Sequence, residues 1–448
     1  MSSKDSLLAI SPADGRYSEK TKPLVSYFSE FAFFKYRLLI EIEYLVFLSE
    51  KRLMKPLSLS QKRGLRILYE KFSIEDAVKI KRLEEKTKHD VKAIEYFLRE
   101  KLKKGYLKTL VAWIHFGLTS TDINDNAYRL MVLDAVKNVL IPEIADLVSS
   151  LKKLTTDYKR LPMLARTHGQ PALPTTFGKE MAVFSERIEK ELSTLASVKL
   201  YGKLGGAVGN WNALFFSFPN KNWVKLSSSF LKKLGLEHSK ITTQIAPPED
   251  LIGLFQLLFR INSIILDLDQ DMWRYISDGW IIQKGKSKDV GSSTMPQKVN
   301  PIEFENSEGN LEFANGLFET FCRTLPISRL QRDLSDSTIL RNIGLSFAHS
   351  LIGYKSAIRG LSSIAPNKGR VLLDLSNDWG ILTEALQIVL RKEGRADAYE
   401  KVAEEVRGKT LSARDWMKIV NLFDLPLSKK RKLLALTPEK YIGLATKL

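Results

Sequence analysis

Apolar residues recur at intervals of three and four along most of the chain. Between Pro23 and Glu50 they fall at Leu24, Tyr27, Phe28, Phe31, Phe34, Leu38, Ile42 and Leu45, the spacing of one helix face. The spacing predicts one helix here, a second opened by a cap at Ser73 and Asp76, and a third from Asp90 to about Lys104. A longer helix, capped by Thr121 or Asp122, should reach towards Arg160 with an interruption or bend near Pro142. Further long segments are predicted from Pro174 to about Leu200, Pro247 to about Ser277, Pro301 to about Arg323 and Ser335 to about Ser363. Period-two alternation is scarce, and the Gly-rich stretch Leu200–Asn210 reads as a loop or small hairpin. The expected fold class is therefore all-α, a bundle of long helices. The stretch from Leu251 is apolar almost all round, which predicts a place in the bundle centre. Gln256, Arg260, Asn262 and Asp267 interrupt it, whereas a membrane span needs about 20 mostly apolar residues.

Composition narrows the class. Hydrophobic residues make up 44% and charged residues 27% of 448, which excludes disorder over most of the chain. The length predicts two or three domains, and composition shifts place them at 1–110, 111–364 and 365–448. One cysteine, Cys322, excludes an intramolecular disulfide and a cluster of thiolate ligands. That usage fits a reducing compartment, and MSSKDSLLAI lacks the apolar length of a secretory signal, so the expected location is cytoplasmic. The net charge of +18 favours anionic partners. Its basic residues are scattered along helices, without an aromatic-studded strand motif or zinc-finger spacing. Neither nucleic acid nor membrane is therefore expected as a partner; a small anionic substrate remains.

Four connectors carry chemistry: Lys86-Thr87-Lys88-His89-Asp90, Gly117 to Asp122, Arg166-Thr167-His168-Gly169-Gln170-Pro171, and Gly291 to Pro301. Each is expected to end at a helix N-terminus, where free N–H groups and the dipole favour anions. Taken singly, His168 reads as a structural loop histidine, Ser292 and Ser293 as turn residues, Lys298 as a solvated lysine and His89 as a cap.

Together they resemble a known family. The run Gly-Ser-Ser-x-Met-Pro-x-Lys-x-Asn-Pro at 291–301 is similar to the signature loop of the fumarase/aspartase superfamily, which eliminates fumarate by breaking a C–N or C–O bond. SPADGRY at 11–17, HDVKAIEYFL at 89–98, TSTDIND at 119–125, ARTHGQPALPTTFGKEM at 165–181 and QRDLSDSTILRN at 331–342 resemble the adenylosuccinate lyase family within it, particularly its bacterial form. The resemblance runs from residue 11 to about 442 and implies an all-α, fumarase/aspartase-like three-domain fold around a central long-helix bundle. It implies β-elimination of fumarate from adenylosuccinate, giving AMP, and from SAICAR, giving AICAR.

Such an elimination needs a base for the Cβ proton, an acid for the departing nitrogen, and cations or N–H donors for the charge that builds on a carboxylate. By resemblance Ser292 is the base, delivered by closure of its loop, and His168 the acid. Lys298 and Asn300 stabilise the carbanion-like state, and Glu305 orients the histidine. Spacing alone does not separate Ser292 from Ser293. Arg16, Tyr17, Arg332, Ser337 and Arg341 match the phosphate contacts, and Thr119, Ser120, Gln244, Lys298 and Asn300 the succinyl contacts. Lys88, His89, Asp90, Ser293, Val299, Asn306, Thr338, Ile339 and Leu340 complete the substrate-binding set, His89 in positioning or proton transfer. No metal or other cofactor is implied, and the five histidines lack HExxH spacing. The family implies a homotetramer whose sites draw loops from several subunits.

Two positions depart from the family pattern: Gln297, where histidine is usual, and Lys88, where asparagine is usual. Glutamine at 297 is common in argininosuccinate lyases, but the ARTHGQPA loop argues for adenylosuccinate.

Overall fold

The computed structural model describes residues 7–103, 105–284, 295 and 297–448. After short helical turns between Ser18 and Phe28, the chain forms helices α1 (Glu30–Glu50), α2 (Leu59–Glu70), α3 (Ile74–Thr87), α4 (Asp90–Leu102), α5 (Ser120–Ala135) and α6 (Ile141–Asp157). Strands β1 (Pro162–Thr167) and β2 (Gln170–Thr176) lead into α7 (Phe177–Ala196). Then come β3 (Tyr201–Gly202), α8 (Asn212–Ser217), α9 (Trp223–Lys233), β4 (Glu237–His238), α10 (Glu249–Ser277) and β5 (Ile281–Gln283). The rest is α11 (Ile302–Thr324), α12 (Ser335–Leu340), α13 (Ile343–Ser362), β6 (Ile364–Pro366), α14 (Lys368–Ser376), α15 (Thr383–Lys392), α16 (Ala398–Val406), α17 (Ala413–Leu422) and α18 (Leu427–Leu434). The expected all-α class holds.

Several boundaries differ from those the sequence predicts, each for a local reason. The run from Pro23 to Glu50 is broken at Ser29, whose extended backbone (φ −70°, ψ 159°) lets its hydroxyl accept the Ala32 N–H as N-cap of α1. Neither Thr121 nor Asp122 is the cap of α5: Thr119 takes that place, with its N–H held by the Asp122 carboxylate at 2.9 Å. Pro142 produces no sharp break; the helix absorbs it through a π-helical stretch, Val136–Leu140. The segment expected from Pro174 begins at Phe177 and ends at Ala196, because 162–176 is a β-hairpin. Leu200–Asn210 forms no hairpin of its own: β3 pairs in parallel with β4. The segment from Ser335 is split at Arg341–Asn342, where Asn342 Nδ2 bonds the Thr338 carbonyl and a tight turn replaces the helix. Ser73 caps α3 through the Asp76 N–H, as its spacing predicts.

The chain divides into two compact units. The first comprises 1–144, 191–263 and 309–355. Its core is led by α1, with Phe33, Leu38, Ile42, Tyr44, Leu45 and Phe47 buried, and by Ile123, Ala127 and Met131 of α5. A buried polar knot ties three helices here. Asn262 of α10 donates to Asn315 of α11 and Ser350 of α13 and accepts from Tyr354 at 2.6 Å, so it fixes their register while satisfying its own amide. The second unit comprises 145–190, 264–308 and 356–448. One of its cores gathers Leu164, Leu386, Leu390, Val402, Ile419 and the fully buried Trp416, whose indole N–H donates to the Leu433 carbonyl at 3.1 Å. α10 is long and apolar enough to cross a membrane, yet 61% of its most apolar window is buried inside the protein.

Candidate active site

In the first unit, the TSTD segment is built around one carboxylate. Asp122, fully buried, accepts four hydrogen bonds: from Lys203 Nζ (2.6 Å) and Gly205 N (2.9 Å) on one oxygen, from Thr119 N (2.9 Å) and Gly206 N (3.0 Å) on the other. Lys203, equally buried, also donates to the Gly206 carbonyl, and its own peptide group is bonded on both sides by Asn126. A Cβ on Gly202 would lie 2.3 Å from Asn126 Oδ1, so glycine alone permits this approach. The knot fixes Thr119 and Ser120 at the start of α5. Two further links run from α5 to the Gln244 segment: the Thr121 hydroxyl donates to the Gln244 carbonyl, and Asp125 accepts the Ala246 N–H at 2.7 Å. Gln244 N in turn donates to the Gln331 carbonyl, next to Arg332. Thr119, Ser120, Gln244 and Arg332 are thus carried on one connected frame.

The second cluster of this unit surrounds Asp90. His89 is the N-cap of α4: its Nδ1 accepts the Lys92 N–H at 3.2 Å. Asp90 bonds Arg37 and lies 3.7 Å from both Arg341 and His89. Burial opposes its charge, but Arg37, the Val91 N–H, His89 and Arg341 together hold the carboxyl below its usual range. Lys88 ends α3 in the left-handed conformation, φ 53°. Arg341 begins the turn after α12, whose residues include Ser337, Thr338, Ile339 and the buried Leu340. Its guanidinium is half exposed. Arg332 has a buried Nε with no hydrogen-bond acceptor among the described residues, although its guanidinium approaches Asp336 at 3.7 Å. Such an orphan donor suits an incoming anion. Ser11 and Asp14 of the SPADGRY segment line a cavity of about 330 Å³ together with Arg341 and Asn342. Arg16 and Tyr17 follow directly, the Arg16 guanidinium 5.9 Å from the Tyr17 ring.

The second unit holds the other candidates. His168 lies at the tip of the β1–β2 hairpin, not at a helix N-terminus as its loop was expected to. Thr167 pairs with Gln170, so His168 and Gly169 form a two-residue turn with φ 53° and 74°. That turn needs positive φ at both positions, which histidine tolerates better than most residues and glycine best. The imidazole is exposed. Lys298 and Val299 are exposed and Asn300 half-buried; Gln283 Nε2 bonds the Val299 carbonyl at 3.1 Å. Glu305, in the first turn of α11, accepts from the Trp273 indole at 3.2 Å, a partner other than the histidine expected for it. Asn306 donates to the buried Ser356 at 2.7 Å. Ser292 and Ser293 lie outside the described residues.

Residues 15–314 match a family described as lyase, and residues 328–442 one described as adenylosuccinate lyase C-terminal. The chain is 45% identical over 446 residues to the adenylosuccinate lyase of Legionella pneumophila (strain Corby), covering 99% of this chain and 98% of that protein. It is 44% identical over 453 residues to that of Dictyostelium discoideum, covering 98% and 97%.

The chain belongs to the adenylosuccinate lyase family.

It is therefore an enzyme, a lyase of the fumarase/aspartase superfamily. Among solved structures it resembles a fumarate lyase from Mesorhizobium sp. BNC1, with a TM-score of 0.75 at 19% identity and 96% of each chain covered. A β-carboxy-cis,cis-muconate cycloisomerase from Acinetobacter calcoaceticus sp. ADP1 follows the same course, with a TM-score of 0.70 at 16% identity over 95% of this chain and 96% of that one. At such identities the likeness concerns the fold, and the fold is the expected one.

The frame of this lyase contains residues that the sequence reading did not single out. Arg37 and Glu41 lie one turn apart within the apolar run of α1, and both side chains are buried. Glu41 accepts the His115 backbone N–H at 3.2 Å and faces the His115 ring nitrogen Nδ1 at 2.6 Å, just before Gly117 and Thr119. Burial lowers the affinity of His115 for its proton, but bonding to Glu41 outweighs this and raises its pKa above the ordinary value. The available signal was two charges inside an apolar helix face, which demand buried partners.

Proposed function

We propose that this lyase eliminates fumarate from adenylosuccinate to give AMP, and from SAICAR to give AICAR, by general acid–base catalysis. The observation that carries the reading is the near-complete match, at 45% identity, to a protein named adenylosuccinate lyase. Ser292, as its alkoxide, removes the Cβ proton; the electron pair forms the C=C bond, the C–N bond breaks, and His168 protonates the departing nitrogen. Lys298 and Asn300 meet the charge that develops on the adjacent carboxylate. Thr119, Ser120 and Gln244 bind the succinyl carboxylates, supported by the Asp122 frame. Arg16, Tyr17, Arg332, Ser337 and Arg341 take the phosphate, supported by the orphan Nε of Arg332 and the half-exposed guanidinium of Arg341. The remaining members of the predicted binding set line the same substrate.

The reading extends to a cytoplasmic homotetramer of three-domain subunits, with sites shared between subunits. The orienting role of Glu305 towards His168 is part of the same reading. The deciding experiment offers purified enzyme adenylosuccinate, SAICAR and argininosuccinate in turn, following fumarate. Fumarate from the first two alone is expected. Fumarate from argininosuccinate alone would transfer the reading to that substrate.

A further inference from the structure

Arg37 is a buried cation beside Asp90 and the candidate phosphate residue Arg341, and none of the family-like segments contains it. Its residue is 1% exposed on α1. Its guanidinium bonds Asp90 through one terminal nitrogen, donates through Nε to Asn124 Oδ1 at 2.8 Å, and covers the Phe33 ring at 3.6 Å from the centroid. The same Asp90 oxygen faces Arg341 at 3.7 Å. One carboxylate is therefore offered to two guanidiniums, one buried and in hydrogen-bonding range, the other exposed and beyond it. Asn124 and Phe33 fix Arg37, so Asp90 stays with it. Without Arg37, a half-buried carboxylate would have lost its neutralising partner, and Arg341 could swing onto it as a bidentate pair. An arginine paired in that way would offer less charge to an anion.

We propose that Arg37 is a positioning residue, which holds Asp90 so that Arg341 remains available to the phosphate of the substrate. The inference rests on the reading of Arg341 as a phosphate contact. It also gives the asymmetry of the cluster a purpose: Asp90 is held by one guanidinium, and the other stays beyond hydrogen-bonding range of it.

The test measures competitive inhibition of adenylosuccinate cleavage by AMP and, as the phosphate-free probe, by adenosine. Replacing Arg37 with methionine should weaken AMP by about 10- to 100-fold, the worth of one charge-assisted hydrogen bond, and leave adenosine nearly unchanged. Arg37→Lys, which keeps the charge, should recover much of the AMP affinity. Arg37→Met combined with Asp90→Asn should bind AMP more tightly than Arg37→Met alone, because the competing carboxylate is gone. Equal losses for AMP and adenosine, or unaltered AMP inhibition in Arg37→Met, would overturn the proposal. If Arg37→Met fails to fold, Arg37→Lys and the double variant carry the comparison: a double variant that binds AMP as tightly as Asp90→Asn with Arg37 intact supports the idea, and one that binds AMP more weakly than that, or has adenosine weakened as much as AMP, refutes it. Arg341→Met serves as the separate check on the underlying reading. Unchanged AMP inhibition there would remove Arg341 from the phosphate, whatever Arg37 does.

Discussion

Replacing Lys203 with methionine tests whether the Asp122 knot supports the TSTD segment. The side chains of Lys203 and Asp122 are 1% and 0% exposed, and their charged atoms are 2.6 Å apart. Methionine preserves most of the side-chain volume and removes only the ammonium group. Asp122 would keep three backbone N–H donors, but its charge would lose the side-chain cation bonded to it, and the Gly206 carbonyl would lose a donor. Breaking a buried pair on one side costs about 3–5 kcal/mol; the three remaining N–H bonds place this case near the lower end. At about 2 °C per kcal/mol for a unit of this size, the melting temperature should fall by roughly 6 °C.

Thermal unfolding followed by circular dichroism, paired with kinetics at a temperature where both proteins are folded, reads the two consequences separately. Because Thr119 N is bonded to the same carboxylate, KM for adenylosuccinate should rise in the folded variant, while a purely structural role would lower only the melting temperature. Asp122→Asn added to Lys203→Met should not recover the stability, because both carboxylate oxygens accept backbone N–H groups and the asparagine amide would turn a donor onto one of them. A melting temperature within about 2 °C of the parent, equivalent to roughly 1 kcal/mol, would show that the pair contributes little and that the loop is held by its backbone bonds alone.

Three further outcomes are expected. Ser292→Ala and His168→Ala should each lose about 10²- to 10⁴-fold in kcat, and mixing the two inactive proteins should restore part of the activity if sites are shared; no recovery after confirmed subunit exchange would count against sharing. His115→Gln should cost most stability below the ordinary imidazole pKa of 6.5: because Glu41 raises the folded-state value, that stabilisation is complete at low pH and lost as pH rises through the folded pKa, so chemical-denaturation midpoints of parent and variant should differ more at about pH 5.5 than at about pH 8.5. Lys88→Asn should stabilise the protein by roughly 0.5 kcal/mol, because relief of a left-handed lysine, about 1–2 kcal/mol at most, outweighs the loss of a cation at a helix C-terminus, about 0.3–1 kcal/mol; a lower melting temperature would contradict this.

How far the sequence could be read depended on the range of the interactions. The period of three and four marks α10 and α11 within a residue or two, because a helix records its buried face locally. Ser73 was legible for the same reason: cap and partner are three residues apart. The β1–β2 hairpin was not, since Arg166, Thr167, Gln170 and Pro171 show no apolar alternation and its turn is announced only by His-Gly. The polar frame was least visible. Asp122 meets Lys203 across 81 positions, and Arg37 meets Asp90 across 53, so no local pattern joins them. The family resemblance supplied candidate residues for the site, whereas it gave no account of what holds them.

That frame also changes the electrostatic argument. The sequence suggested helix N-termini as anion sites, yet α4 and α5 each carry a carboxylate of the chain itself in the first turn. At α4 the Lys92 N–H goes to His89 and the Val91 N–H to Asp90; at α5 the Asp122 carboxylate sits in the first turn and takes the Thr119 N–H. A carboxylate in the first turn offsets the positive end of the dipole. On the proposed reading, attraction for a polyanionic substrate comes mainly from side-chain cations such as Arg332, in the connector before α12, and Arg341, in the turn between α12 and α13. The break that the apolar pattern does not announce falls at a residue that faces Asp90 and lines a cavity with Asp14. Carboxylates within the chain set the positions of the loops, and on the proposed reading the guanidiniums of Arg332 and Arg341 are left to meet the ligand.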